Sequence, residues 1–541
     1  MSAIVLMVIS AIVFILAYFT YGKYLDNKLD IDPNRKTPAI EMHDGIDYVA
    51  AKKPVLLGHH FATIAGGGPI VGPVTAAVFG WIPAVLWIVL GSIFFGGVHD
   101  YTSLQASIRH RAQSIGTIIK EYIGNRGQTL FLSFSIATII LIVGVFVVLV
   151  ANTFEATPAA ATASILFTFL AILFGVAVNQ FRVNFVGATI IGIIIMFFSI
   201  WLGILFPISL SASVWNVILL IYAFVASVLP VWVLLQPRDY LNSYLLYGMM
   251  LGGFIGILLA NPTIQMSGYT GFYNDTLGPL FPILFITIAC GAISGFHSLV
   301  ASGTTAKQLD NEKNGRFIAY GGMLIEGFFA VIVLISVAYL TSADYAARLA
   351  ETGGPIPTFA HGLATFMNSF GLPLETGVTF VSLAASAFLL TTLDSATRLG
   401  KFGVQEFAEG RSKFFHNQYV ATAIIVIGAG ALAFSGTWAD LWPLFGSANQ
   451  MLGALALLAV SVWLVRIGVK SLFTLIPMVA MFIITLSALS VLMYQNFIAK
   501  NWVLTIGGFI LFVLCIFLII EAWNSYVSNK KADKDESVKA Q

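Results

Sequence analysis

Two stretches of this sequence concentrate polar side chains and helix breakers inside apolar surroundings. Residues 58–74 read GHHFATIAGGGPIVGPV and residues 291–309 read GAISGFHSLVASGTTAKQL. Histidine as a residue type changes charge near neutral pH, so His60 and His297 are of a kind that suits proton transfer. Glu326, in GGMLIEGFFAVIVL, and Asp394, in FLLTTLDSATRLG, are carboxylates inside apolar runs, and His99 and Asp100 close a third run in GGVHDY. Ionisable groups at membrane depth are costly and therefore functional by default. We take His60, His297, Glu326, Asp394 and Asp100 as candidate proton carriers. Each has a plainer reading. Asp394 could pair with Arg398 one turn on, and Glu326 could make a buried structural hydrogen bond. The chemistry is that of moving a proton and holding a small polar solute. No nucleophile motif or cofactor fingerprint appears, so neither an enzyme nor a cofactor is expected.

These groups sit in a chain of 541 residues, 58% hydrophobic and 10% charged, with mean hydropathy +0.91. Soluble domains carry about 25% charged residues. So low a charge, with many apolar runs near 20 residues, predicts an all-α polytopic membrane protein. The alternation of outer-membrane strands is absent. The net charge of +2 lies in loops and gives no reason to expect nucleic acid. Cys290 and Cys515 are far apart in apolar stretches and imply no disulfide framework. Residues 2–22 lack a charged leader and a cleavage site, so they read as a retained peripheral span.

About 15 spans are expected, near 2–22, 60–79, 81–103, 128–151, 156–178, 183–206, 212–235, 243–262, 280–303, 317–341, 376–396, 418–437, 440–465, 471–495 and 501–523. With the loop of 104–127 placed inside, every Lys and Arg of the 27 except Arg348 and Lys500 falls on the inner side. That bias predicts an outer N-terminus and a cytoplasmic C-terminus. The division that follows is a cytoplasmic loop over 23–59, a transporter core over 60–465, further spans over 466–523 and a solvated cytoplasmic tail over 524–541. Residues 342–375 form an outer loop whose amphipathic part reads as an interfacial helix.

Irregular backbone at membrane depth is tolerated only in a protein interior or beside a water-filled cavity. Gly66, Gly67, Gly68 and Pro69 should break the second span there, and Ser294, His297, Ser302, Thr304 and Thr305 mark the ninth. Those residues are the candidate substrate site. A kinked, closely packed helix is the plainer reading. Both stretches share the spacing G-x-H-x5-G, through Gly58, His60 and Gly66 and through Gly295, His297 and Gly303. The charge-derived topology runs them in opposite directions, which points to an inverted-repeat transporter. Adjacent His59 and His60 lack the i, i+4 spacing of a helical zinc pair. No metal site is therefore expected, and sodium or a metal at His59/His60 is the alternative. Asn449 and Gln450, in WPLFGSANQMLGALAL, either join helices or line the pathway.

Several of these stretches occur together with QPRDYLNSYLL and DGIDYVAAKKPVLLGHHFATIAGGGPIVGPV. With GGVHDYTSL, YGGMLIEG, TLDSATRLGKF and WPLFGSANQMLGALAL, the sequence resembles the carbon starvation protein A family over about residues 44–457. The resemblance implies an inner-membrane secondary transporter of peptides, or of pyruvate with a proton, used when carbon is limiting. It also implies the amino acid–polyamine–organocation superfamily and a LeuT-like core with two broken helices. Spans 60–79 and 280–303 would be those two. They lie seven spans apart where an undecorated core has five, so two helices would be insertions. The expected function is proton-coupled import of a small carbon source across the plasma membrane. Sodium coupling and a channel are the alternatives. A starvation sensor would need a signalling domain that no loop is long enough to form.

Overall fold

The computed structural model describes residues 1–44, 48–230, 233–409 and 412–539. It is all-α apart from one short hairpin pairing Tyr273–Asn274 with Gly278–Pro279. In chain order the helices that build the fold begin with α1 (Ala3–Phe19), α2 (Lys53–Ile64), α3 (Gly68–Ala76) and α4 (Trp81–Arg109). α5 (Asn125–Ala156), α6 (Pro158–Asn179), α7 (Phe185–Leu205), α8 (Ala212–Val228) and α9 (Leu235–Ala260) follow. The second half holds α10 (Leu280–Thr287), α11 (Ala289–Ala292), α12 (Gly295–Gly303), α13 (Arg316–Ala338), α14 (Pro355–Met367) and α15 (Leu374–Phe407). It ends with α16 (Gln418–Ala433), α17 (Trp438–Arg466), α18 (Leu472–Ile498) and α19 (Trp502–Lys539).

Among the described residues eleven helices are long and apolar enough to cross a membrane, and the bent pair α2–α3 makes a twelfth. The expected count of 15 also includes α8 and α16, of 17 and 16 residues, and the stretch α10–α12, cut into 8, 4 and 9 residues. Those three are shorter than the roughly 20 residues of a typical unbroken span. Burial grades the helices. The spans of α5, α13, α15 and α17 are 83–89% buried, whereas those of α1 and α9 are 33% buried. α5 packs on both α15 and α17, and with α13 they surround the broken stretches.

Two expectations need correction. Lys53–His59, read as loop, are helical, because Pro54 starts α2 well before the apolar run. The amphipathic part of the outer loop is not interfacial. α14 is buried at every residue except His361 and Thr365, and it packs on α9, α13 and α15. The tail continues α19 as helix to Lys539, and the apolar part of that helix ends at Asn524.

Candidate functional site

Both expected breaks are present. α2 and α3 meet at 48° across Ala65–Gly67. The second break lies at Ile293 and Ser294, whose extended backbone separates α11 from α12. Glycine is required at both for close approach. A Cβ on Gly68 would lie 1.9 Å from the Cys290 Cβ, so the first break sits directly against α11. A Cβ on Gly295 would lie 2.0 Å from the Asn449 carbonyl oxygen, so the second sits against α17.

The two breaks face one small, tightly packed pocket. Gly66, Gly68, Cys290, Ser294, Thr392 and Asn449 form its polar side, and Ile142, Phe146, Phe296 and Phe445 its apolar side. Asn449 organises the second break. Its Oδ1 accepts from the Phe296 backbone N–H at 2.8 Å, and its Nδ2 donates to the Ser294 hydroxyl at 3.2 Å and the Cys290 sulfur at 3.1 Å. A side chain from a distant helix thus caps a helix start that has no cap of its own. Asn449→Leu should leave the Phe296 N–H buried and unpaired, at a cost of about 1–3 kcal/mol. Thermal unfolding of the purified protein would show this as a lower midpoint.

Beside the pocket lies a buried acid–histidine cluster. His297 Nδ1 is 3.0 Å from Asp100 Oδ2 in a hydrogen bond, and His99 Nδ1 is 2.8 Å from Asp100 Oδ1. His297 Nε2 is 3.4 Å from Glu326 Oε2, close enough for charge attraction but not aligned as a hydrogen bond. All four side chains have zero exposure. No Lys or Arg forms an ion pair with Asp100 or Glu326 among the described residues. His60 stands apart: its Nδ1 is 2.8 Å from the Thr305 hydroxyl, and its ring lies against Gly322, one turn before Glu326.

The structure therefore brings together Asp100, His297 and Glu326 in one cluster, and Gly66, Gly68 and Ser294 in the pocket. It does not bring the rest of the candidates there. Gly67 packs on Leu389 and Pro69 lies against Gly291. Ser302 and Thr304 donate to carbonyls of their own helix, and Thr305 serves His60. Asp394 lies elsewhere. Its partners are Arg238 and Tyr222, not Arg398, which donates to the carbonyls of Ala226 and Leu229. Arg238, outside the span expected from residue 243, is 1% exposed within α9. Removing one member of a buried pair leaves the other uncompensated, at about 3–5 kcal/mol. Arg238→Met should destabilise by that order, and Arg238→Met with Asp394→Leu should recover most of it in the same unfolding assay. Among the described residues no group of three or more His, Cys, Asp or Glu is arranged to hold a metal ion.

Sequence reasoning missed Cys290, Ile142 and Phe146, which are ordinary span residues, and Thr392 and Phe445, which lie in quoted stretches but were not singled out within them. It left Asn449 undecided and His99 outside the candidate set, although both lie in stretches it singled out.

The chain is 34% identical to the peptide transporter CstA of Campylobacter jejuni, over 90% of this chain and 79% of that one. It is 32% identical to the pyruvate/proton symporter BtsT of Escherichia coli, over 92% of this chain and 82% of that one. A solved manganese transporter of Eremococcus coleocola, in a mutant form, shares the fold at TM-score 0.50 and 12% identity, covering 92% of this chain and 99% of that one. The model of the family described as carbon starvation protein CstA matches residues 2–352 and 346–488. Together these matches span nearly the whole described chain, and the chain belongs to the carbon starvation protein CstA family.

Proposed function

We propose that this protein is a secondary active transporter that imports a small carbon source, pyruvate or a short peptide, by proton symport. The observation that carries this reading is the start of α12. Ser294 and Phe296 line the pocket, and His297, the next residue, belongs to the Asp100–His297–Glu326 cluster. A substrate at the pocket and a proton on the cluster would therefore act on the same helical turn.

The chemistry supports each half. Helix starts attract anions through the helix dipole, and the starts of α3 and α12 both border the pocket. Pyruvate and peptides each carry a carboxylate. Two buried carboxylates without a Lys or Arg partner cost several kcal/mol per charge, and binding a proton relieves that cost. We place the site in a LeuT-like inverted-repeat core of 15 crossings, with α2–α3 and α10–α12 as its broken helices. The N-terminus would lie outside and the C-terminus in the cytoplasm of the inner membrane. The names of the two relatives support transport of such solutes and, for one of them, a proton.

Uptake of labelled pyruvate into proteoliposomes, with inward proton and then sodium gradients and unlabelled tripeptides as competitors, tests the reading. Accumulation under the proton gradient alone supports it. Accumulation under sodium alone, or none for either substrate in tight vesicles, rejects it.

A further inference from the structure

Glu312 has zero exposure and lies in the linker between α12 and α13, outside both the pocket and the acid–histidine cluster. Unlike Asp100 and Glu326, it is gripped by two arginines. Arg109, at the end of α4, donates from Nε to Oε1 at 2.9 Å and from Nη2 to Oε2 at 3.2 Å. Such a two-pronged bond fixes the carboxylate plane. Arg35 places Nη1 3.2 Å from both oxygens. It belongs to residues 29–42, a strap between α1 and α2 that is laid along the linker. The Asp32 N–H donates to Glu312 Oε2 at 3.2 Å, and the Thr37 hydroxyl donates to the Leu309 carbonyl oxygen at 2.6 Å. Asn311 Nδ2 donates to the Pro33 carbonyl oxygen at 2.8 Å. Arg109 Nη2 also donates to the strap, at the carbonyl oxygens of Leu29 and Asp30.

The elements joined in this way carry the working groups of the site. The linker continues α12, whose start holds Ser294 and His297, and its Thr305 bonds His60 of α2 at 2.8 Å. α4 carries Asp100, about 14 Å from Arg109 at 1.5 Å per residue. α12 and α4 therefore meet twice, at His297 with Asp100 and, through the linker, at Glu312 with Arg109. The geometry points to a releasable lock, in which Glu312 held by Arg35 and Arg109 ties the strap to the ends of α4 and α12 and opens each time substrate leaves on that side. This rests on the transport reading above, and the side is the one that the basic residues mark as inner. Exit requires α2 and α12 to part beyond the breaks. The linker bonds both, and it cannot follow α12 while Glu312 stays fixed to α4. The side chains of Arg35 and Arg109 are 35% and 20% exposed. Water can take over their hydrogen bonds, so a grip at the rim opens and re-forms where a wholly buried pair would not.

Two measurements on the full-length protein test the lock. The first is the rate at which N-ethylmaleimide alkylates the two native cysteines, both buried, read by mass spectrometry. Cys290 lines the pocket, and Cys515 lies against Met451 on α19, outside the pocket lining. Glu312→Gln should raise the rate at Cys290 at least fivefold and leave Cys515 unchanged. No change at Cys290, or an equal rise at both, which marks general loosening, would overturn the lock. The second is uptake of labelled pyruvate and trialanine into proteoliposomes holding Pro33→Cys with Asn311→Cys, the two thiols joined by a short bifunctional methanethiosulfonate. Joining should cut uptake at least tenfold, and reduction should restore it, with each single variant unaffected by the reagent. Full uptake by the joined protein would overturn the lock, because bridging a contact that never opens changes nothing. No uptake of either solute by wild type, together with selective alkylation of Cys290 in Glu312→Gln, would reject the transport reading and leave the lock standing.

Discussion

Glu326→Gln is expected to abolish accumulation driven by a proton gradient while leaving substrate exchange across the membrane intact. The carboxamide keeps the size and most of the polarity of the side chain, so the packing of α13 is preserved. It cannot release a proton, and it removes one of the two carboxylates beside His297. With one proton moved per carboxylate, a gradient of one pH unit corresponds to about 1.4 kcal/mol, or about tenfold accumulation. In the variant that ratio should fall to one. Counterflow, in which unlabelled substrate inside draws labelled substrate in, should persist at a rate within a few-fold of wild type. Retained accumulation would assign the proton to Asp100 and His297 without Glu326.

Gly295→Ala should cost the protein both its stability and its substrate site. The added Cβ would meet the Asn449 carbonyl oxygen at 2.0 Å and the Gly453 backbone nitrogen at 2.3 Å. Both are main-chain atoms, so no side chain can rotate away, and α12 and α17 must separate. Overpacking of close-packed interiors costs about 1–3 kcal/mol and occasionally more, and a clash with backbone belongs at the upper end. The same movement pulls Asn449 from the Phe296 N–H and from Ser294. Substrate affinity should therefore fall at least tenfold, with a lower unfolding midpoint. Gly303→Ala is the control within the same helix. Nothing lies within 4 Å of its Cβ position, so stability and binding should stay near wild type.

The two glycines also show what was legible in the sequence. The breaks were, because glycine, proline and serine runs punctuate apolar spans by a mechanism that needs no partner. The shared G-x-H-x5-G spacing was not an internal correspondence. Gly66 lies in its break against Thr392, whereas the second break precedes Gly295 and Gly303 faces open space. His60 accordingly precedes its break and pairs with Thr305, while His297 follows its own and joins the acids. The pairing of Asp394 was misread for a related reason. Arg398 is near in sequence, but Arg238 reaches Asp394 from 156 positions away, across the packing of α9 on α15. Long-range partners such as Thr392, Phe146 and Phe445 are fixed by helix packing, which local pattern does not encode.

Coupling between the pocket and the cluster can be read most directly from proton entry itself. A pH-sensitive dye sealed inside proteoliposomes would report the lumen when trialanine or pyruvate is added outside, with no gradient imposed. The account predicts acidification that keeps pace with labelled substrate entry in wild type. It predicts entry by exchange without acidification in Glu326→Gln. Substrate entering wild-type vesicles with no change in lumenal pH would contradict the claim that the first turn of α12 joins substrate to proton.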